Sequence, residues 1–409
     1  MSGLIPVAEA LSRILASVAE PVSAETVPLA RAAGRVLAAP VVSTRTQPPF
    51  RASAMDGYAV RAADAGQVGA TLRLVGTSAA GHGFTGRVGP GEAVRIFTGA
   101  PVPEGADAIL IQEDARAEGE SIHVGEAVET NRFIRREGLD FETGATLLTE
   151  GLTLDARRLA LTAAAGHPDL VVRRRPRVAI LATGDELVAP GAAPAWDQIV
   201  ASNSLALAAL AEEAGAEIID LGIAADDQAA LEAAFRRARE AKADLLVTLG
   251  GASVGDHDLV QAALAREGLE LGFWRVALRP GKPLMHGRLG PMLVIGLPGN
   301  PVSSIVCGLL FVVPAIRALL GDPQAGADAS EPALLGRDLA ANDGRQDYMR
   351  ASLTLAPGEL PVADPENRQD SSMLAVLGRS EALLIREPHA PAAKAGDPCR
   401  IIRLDRRLV

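Results

Sequence analysis

Cysteine and aromatic residues are scarce in this chain, and acids outnumber cations 50 to 40. Only Cys307 and Cys399 occur among 409 residues, far apart and outside any CxxC pattern, so neither a zinc framework nor a disulfide scaffold is expected and a reducing cytoplasm is the simplest setting. Aromatic residues make up 3% of the chain and the net charge is -10, whereas a nucleic-acid surface needs a basic face and stacking platforms. No nucleic-acid partner is expected. The N-terminal stretch MSGLIPVAEALSRILASVAE lacks a basic start followed by an uninterrupted apolar core, so no export signal is expected. The richest apolar run, Ile305 to Leu320, contains Gly308, Pro314 and Arg317, and is read as a buried helix with no membrane contact.

What is present is globular: 48% hydrophobic and 22% charged residues, in a length that suits two to four domains. Apolar spacing predicts an amphipathic helix within residues 1–25 and a second from Leu154 to Gly166, packed beside the first. Together with residues 146–176 these form linker and dimerisation segments. Residues 26–145 read as a β-rich domain punctuated by GHGFTG, VGPGE and PVPEGAD. From Arg177 strands and helices alternate: RVAILA, SLALAALAEEAG, EIIDLG, QAALEAAFRRAREA, DLLVTLG, DLVQAALAREG, FWRVAL, PMLVIGL and a helix from about Pro301. That alternation predicts a doubly wound α/β domain over 177–326. After GDPQAGADASEP, residues 327–409 read as a small β-barrel-like domain with RQDYMRASLTL, SSMLAVLGRSEALLIRE and CRIIRL as its strands.

Ligands of open α/β sheets sit beyond the carboxyl ends of the strands, and those ends carry unusual loops here. Thr183-Gly184-Asp185-Glu186-Leu187 sets two acids beside a glycine, as a turn with a helix cap or as a site. Gly250-Gly251-Ala252-Ser253-Val254-Gly255-Asp256-His257-Asp258 can cradle an oxyanion or a flat heterocycle. Its aspartates make sense near a phosphate if a divalent cation bridges them, or they cap the next helix. Pro298-Gly299-Asn300-Pro301-Val302-Ser303-Ser304 opens a helix with Pro301 in its first turn. Arg275, Arg279 and Lys282 concentrate positive charge around Pro280 and Gly281. If FWRVAL is one strand, Arg275 and Arg279 share a face.

TGDEL, GGASVGDHD, RPGKP and LPGNPVSS, in that order, resemble the pterin-binding domain of molybdopterin adenylyltransferases and molybdenum insertases. The stretch from Pro48 to Ala59, with Ser53, Met55, Asp56, Gly57 and Tyr58, resembles the insertase signature P-x-x-x-x-S-x-M-D-G-[YF]-A, and IFTGAP and RREGLD follow it. With the C-terminal β domain, the similarity to the molybdopterin molybdenumtransferase family spans nearly the whole chain. Arg275 and Arg279 depart from it, since members often carry lysine at both positions.

The resemblance implies that adenylylated molybdopterin and molybdate are substrates, that AMP is released, and that magnesium assists. It implies a catalytic set of Asp56, Thr98, Asp140, Glu186, Asp227 and Asp258. Magnesium ligands would come from Glu186, Asp227 and Asp258, with Asp226 an alternative to its neighbour and Asp258 an alternative reader of the pterin. Substrate contacts would come from Thr183, Gly184, Asp185, Ser202, Asn203, Gly250, Gly251, Ser253, Gly255, Arg275, Arg279, Lys282, Pro298, Gly299, Asn300, Pro301 and Ser303. By analogy the protein is a homodimer whose Asp56 region covers the partner's α/β site, and the pathway's adenylyltransferase is a further candidate partner. Two other readings are a silent pterin-binding scaffold, which retention of the acidic motif residues opposes, and adenylyl transfer to molybdopterin, which the extra domains oppose.

Overall fold

The computed structural model describes residues 4–251 and 259–404. Its centre is a six-stranded sheet in the order Glu217–Ala224, Arg177–Thr183, Leu245–Leu249, Met292–Leu297, Pro283–Leu289, Glu270–Arg275. The first four strands run parallel and the last two join antiparallel. Residues 178–183, 245–249 and 292–297 are buried without alternation, as parallel strands covered on both faces must be. Val178 and Ile180 join one core with Leu207, Ala211, Val302 and Phe311, while Ala179 and Leu181 join another with Leu231, Phe235, Val260 and Leu264. The helices Asn203–Glu213 and Pro301–Cys307 therefore cover one face, and Gln228–Glu240 and Leu259–Arg266 the other.

Pro301–Cys307 continues through a π turn, Gly308–Val312, into Val313–Leu319. By length and composition this run could cross a membrane, but 67% of it is buried inside the protein, as a core helix is.

The N-terminal helix Val7–Ala16 does not pack beside the second helix, as its periodicity suggested. Its stripe of Val7, Ala10 and Ile14 is covered by the α/β domain, in one core with Phe311 and Ile316. The second helix, Ala156–Ala164, borders a separate core that holds Leu37, Leu148, Leu154 and Leu170. Around that second core, Ala24–Pro28 pairs with Asp169–Arg173 and Val41–Val42 with Thr146–Leu148. These stems carry an inserted six-stranded sheet in the order Ala108–Ile111, Gly57–Val60, Glu92–Ile96, Thr71–Ser78, Ser121–Val124, Ala115–Glu118.

In the C-terminal region, Gln346–Thr354, Val362–Pro365, Glu331–Leu335, Pro398–Arg403 and Ala382–Arg386 pair in that order, and Ala382–Arg386 closes back on Gln346–Thr354 as a barrel. Two readings of the sequence are corrected here. The segment SSMLAVLG holds a helix, Leu374–Arg379, before its strand. FWRVAL is not one strand: Glu270–Arg275 ends in the α/β sheet and Leu278–Arg279 pairs with Gln346–Asp347 of the barrel. The break arises because the N-terminal segment captures the backbone there, with the Ile5 amide donating to Arg275 O (3.2 Å) and the Ala277 amide to Ile5 O (2.7 Å). Arg275 and Arg279 thus belong to different sheets.

Candidate functional site

The strand Arg177–Thr183 lies between Glu217–Ala224 and Leu245–Leu249, so the chain leaves it to one side and later returns to the other. A crevice must open at such a switch point. There the protein has a cavity of about 940 Å³, walled by Thr183, Gly184, Glu186, Ser202, Asn203, Asp226, Gly250, Gly251, Pro298, Gly299, Asn300 and Pro301, with Ser372 and Leu374 reaching in from the barrel domain. Three motifs spread over more than a hundred residues of chain meet in this one place.

Two glycines shape the wall. The Glu186 carboxylate lies over Gly184, where an added Cβ would stand 2.4 Å from Oε2. Gly250 holds φ +97°, and a Cβ there would sit 2.6 Å from the Thr183 carbonyl oxygen. Only glycine combines that conformation with so close an approach.

The electrostatics of the wall are acidic. The Asp226 amide donates to Asp185 Oδ1 (3.0 Å), drawing the two acidic loops together. Partial burial, and then the nearby charges of Asp185 and Glu186, hold the Asp226 carboxyl above its ordinary value. Asp227, the sequence candidate, is used differently: it caps the helix Gln228–Glu240, its Oδ1 accepting from the Ala230 amide at 2.9 Å. The acid that lines the cavity is Asp226. Among the described residues, no group of three or more His, Cys, Asp or Glu side chains is arranged to hold a metal ion. Ser253, Gly255 and Asp258 lie outside the described residues.

On the opposite wall, Asn203 Nδ2 donates to Gly299 O (2.7 Å) and ties the Pro-Gly-Asn loop to the helix Asn203–Glu213. Asn300 Nδ2 donates to Ser371 Oγ (2.9 Å), and the Val302 amide donates to Ser371 O (3.1 Å). The start of the helix at Pro301 is therefore partly satisfied by the barrel domain, and Ser303 is buried behind it. Arg275, Arg279 and Lys282 do not line the cavity, although Pro283 does. Arg279 turns to the barrel: it pairs with Asp347, with Asp343 Oδ2 (3.1 Å) and with Asn342 Oδ1 (2.9 Å). Burial raises the Asp347 carboxyl, and the Arg279 contact works against that shift.

Arg350 escaped sequence reasoning. At 1% exposure it is among the most buried side chains, donating from Nε to Gln369 Oε1 (3.1 Å) and from Nη1 to Asp370 O (2.8 Å). It fixes the turn that seats Ser371 against Asn300 and carries Ser372 to the cavity. A signal was present: in QDYMRA, Tyr348 and Arg350 are two apart, so a strand puts both on one face, opposite the barrel's own core, and Tyr348 on that face joins the core of the α/β domain.

Asp56, Thr98 and Asp140 lie on the inserted β lobe and its stem. Asp56 Oδ1 accepts both the amide and the hydroxyl of Thr98, each at 2.7 Å, and these bonds, the amide first, lower its carboxyl below the ordinary value. The Arg95 guanidinium stacks over Tyr58 (5.0 Å) and Phe97 (5.1 Å) beside them. The Asp140 amide donates to Gln47 O at 3.0 Å, and its side chain is exposed. Among the described residues none before Ala182 lines the cavity, so within one chain these acids do not join it. Nearby Phe50, Met55, Phe97 and Leu139 leave large apolar surfaces in solvent.

Comparison with known proteins agrees with this geometry along the whole chain. Residues 5–166 match the family described as the MoeA N-terminal region (domain I and II), residues 179–318 the probable molybdopterin binding domain, and residues 332–404 the MoeA C-terminal region (domain IV). The molybdopterin molybdenumtransferase of Haemophilus influenzae is 35% identical over 395 residues, covering 96% of this chain and 97% of the relative. The protein of that name from a Nostoc species is 38% identical over 372 residues, covering 88% and 84%. Among solved structures, the molybdopterin biosynthesis moeA protein of Pyrococcus horikoshii superposes with a TM-score of 0.84 at 28% identity, covering 98% of this chain and 99% of that one.

Proposed function

Because the chain belongs to the molybdopterin molybdenumtransferase family, transferases of molybdenum cofactor biosynthesis, we propose that it inserts molybdate into adenylylated molybdopterin and releases AMP. The observation that carries this reading is the switch-point cavity, acidic on the side of Glu186 and Asp226 and lined by backbone and hydroxyl groups on the side of Asn300 and Ser372. A flat heterocycle with donor and acceptor edges suits Gly-rich backbone and carboxylates. The phosphoanhydride of the adenylate needs its charge offset while the bond to AMP breaks.

The all-oxygen donors and the like-charge repulsion on Asp226 fit a magnesium ion, which Glu186 and Asp226 would hold. Such an ion supplies charge neutralisation at the phosphoanhydride. Gly184 and Gly250 let the substrate approach the main chain. Asn203 and the Arg350-ordered turn hold the opposite wall in register for it.

Asp56, Thr98 and Asp140 act in this reading on a partner's cavity, within a homodimer. Their absence from the lining of the chain's own cavity and the apolar surface of Phe50, Met55, Phe97 and Leu139 around them support that arrangement. Two free cysteines suit the cytoplasm as its setting. AMP release from adenylylated molybdopterin, with and without molybdate, tests the proposal. Molybdate-dependent release is expected. Pyrophosphate release from ATP and metal-free molybdopterin would instead identify an adenylyltransferase and overturn it.

A further inference from the structure

Residues 189–198 form a strap between two parts of the cavity wall. Its stems are pinned: Leu187 pairs with Ile199 and Val188 with Val200, and the Ile199 amide donates to Glu186 O at 2.8 Å. Its last four residues, just before the anchored Ile199, form a turn. The Gln198 amide donates to Ala195 O (3.2 Å), and the Ala195 amide donates back to Gln198 Oε1 (3.1 Å), leaving Trp196 and Asp197 at the two central positions. Trp196 is 96% exposed, in a chain with two tryptophans.

A solitary exposed apolar side chain is ordinary, but this one continues a surface. Ile199 and Val200 are 58% and 42% exposed, and both line the cavity. Three Cα steps separate Trp196 from Ile199, so its backbone lies within about 11 Å of that wall. An indole can span a good part of the remainder.

We infer that Trp196 is a substrate-binding residue whose indole closes over the cavity mouth and stacks on a planar heterocycle of the bound substrate. This rests on the function proposed above. Adenine and the pterin share the required flat π face, and stacking on either is indifferent to its hydrogen-bonding edges.

Tryptophan emission and its quenching by iodide test this in the full-length protein. Wild type and Trp196→Phe, in which Trp274 is the remaining emitter, are titrated with AMP and, separately, with neopterin. One probe should shield wild-type emission from iodide, and the shielding should vanish in Trp196→Phe. The probe that shields identifies the ring. With intact adenylylated molybdopterin, Trp196→Ala should raise KM by roughly 5- to 150-fold at nearly unchanged kcat, the range of lost base stacking, and Trp196→Phe should restore most of it. An unchanged KM in Trp196→Ala, with wild-type AMP release intact, overturns the inference and leaves the function standing. Absence of AMP release by wild type overturns both.

Discussion

Asp226 and Asp227 are neighbours with opposite assignments, and exchanging each for asparagine separates them. Asp226 is crowded by Asp185 and Glu186, and its carboxyl is held above its ordinary value by burial and by those charges. A carboxyl with a raised folded pKa binds its proton more readily folded than unfolded. Its effect on stability is therefore nil below the ordinary aspartate range and becomes a penalty as pH rises through the raised folded value. Asp226→Asn removes that penalty. The group is mostly exposed, so solvent screening limits the gain at pH 7 to under about 1 kcal/mol, or roughly 1–3 °C in the α/β transition. The gain should disappear at pH values where wild-type Asp226 is protonated in both states.

Activity should move the other way, with molybdate-dependent AMP release falling at least about tenfold, which is ~1.4 kcal/mol of barrier. Magnesium adds a second axis: an ion at 100 times its Kd stabilises the folded state by about 2.7 kcal/mol, and Asp226→Asn should lose much of this shift. Asp227→Asn is the control, because asparagine caps a helix as well as aspartate does. Its stability and turnover should stay near wild type, whereas Asp227→Ala should cost ~0.5–2 kcal/mol of stability through the lost cap. Calorimetry at two pH values beside the AMP assay checks all three. If Asp227→Asn lost turnover while Asp226→Asn kept it, the assignment argued from the cap and the cavity wall would be refuted.

Gly250→Ala should destabilise the α/β domain by ~2–4 kcal/mol, since a Cβ 2.6 Å from the Thr183 carbonyl adds overpacking to a φ of +97°; a denaturant midpoint near wild type would contradict it. Asp56→Asn and Asp226→Asn chains, each weak alone, should recover part of the AMP release when unfolded and refolded together, whereas sites built within one chain predict no recovery beyond either parent. Arg279→Ala should weaken the junction of the barrel with the α/β domain by ~1–3 kcal/mol, because Asp347, with a side chain 9% exposed, loses its pairing cation. Scanning calorimetry reads that as a lowered transition, and an unchanged one would show that the pair contributes nothing.

The strand-end loops were legible because their chemistry is local. Pro298, Gly299 and Pro301 announce a turn into a helix, and Thr183-Gly184 announces the end of a buried strand, whatever packs nearby. Asp226 and Asp227 were harder, because periodicity does not fix which of two adjacent carboxylates takes a free amide of the helix's first turn; the bond from Ala230 does. The apolar stripe of Val7, Ala10 and Ile14 specified that the helix must be covered without specifying by what, and the α/β domain rather than the second helix covers it. FWRVAL carries an unbroken strand composition, yet Ile5, some 270 residues earlier, takes the backbone groups that would have continued the ladder. Ser371 is the sharpest case. Nothing in SSML marks a ligand wall, since serines in a loop usually meet water; its role depends on Arg350 being drawn into the interior by Gln369 and the carbonyl of Asp370. A buried guanidinium is costly unless its donors are matched, so its partners hold the turn rigidly. That rigidity places Ser371 against Asn300 and lets a barrel with few motif residues complete a cavity whose other walls the sequence displayed openly.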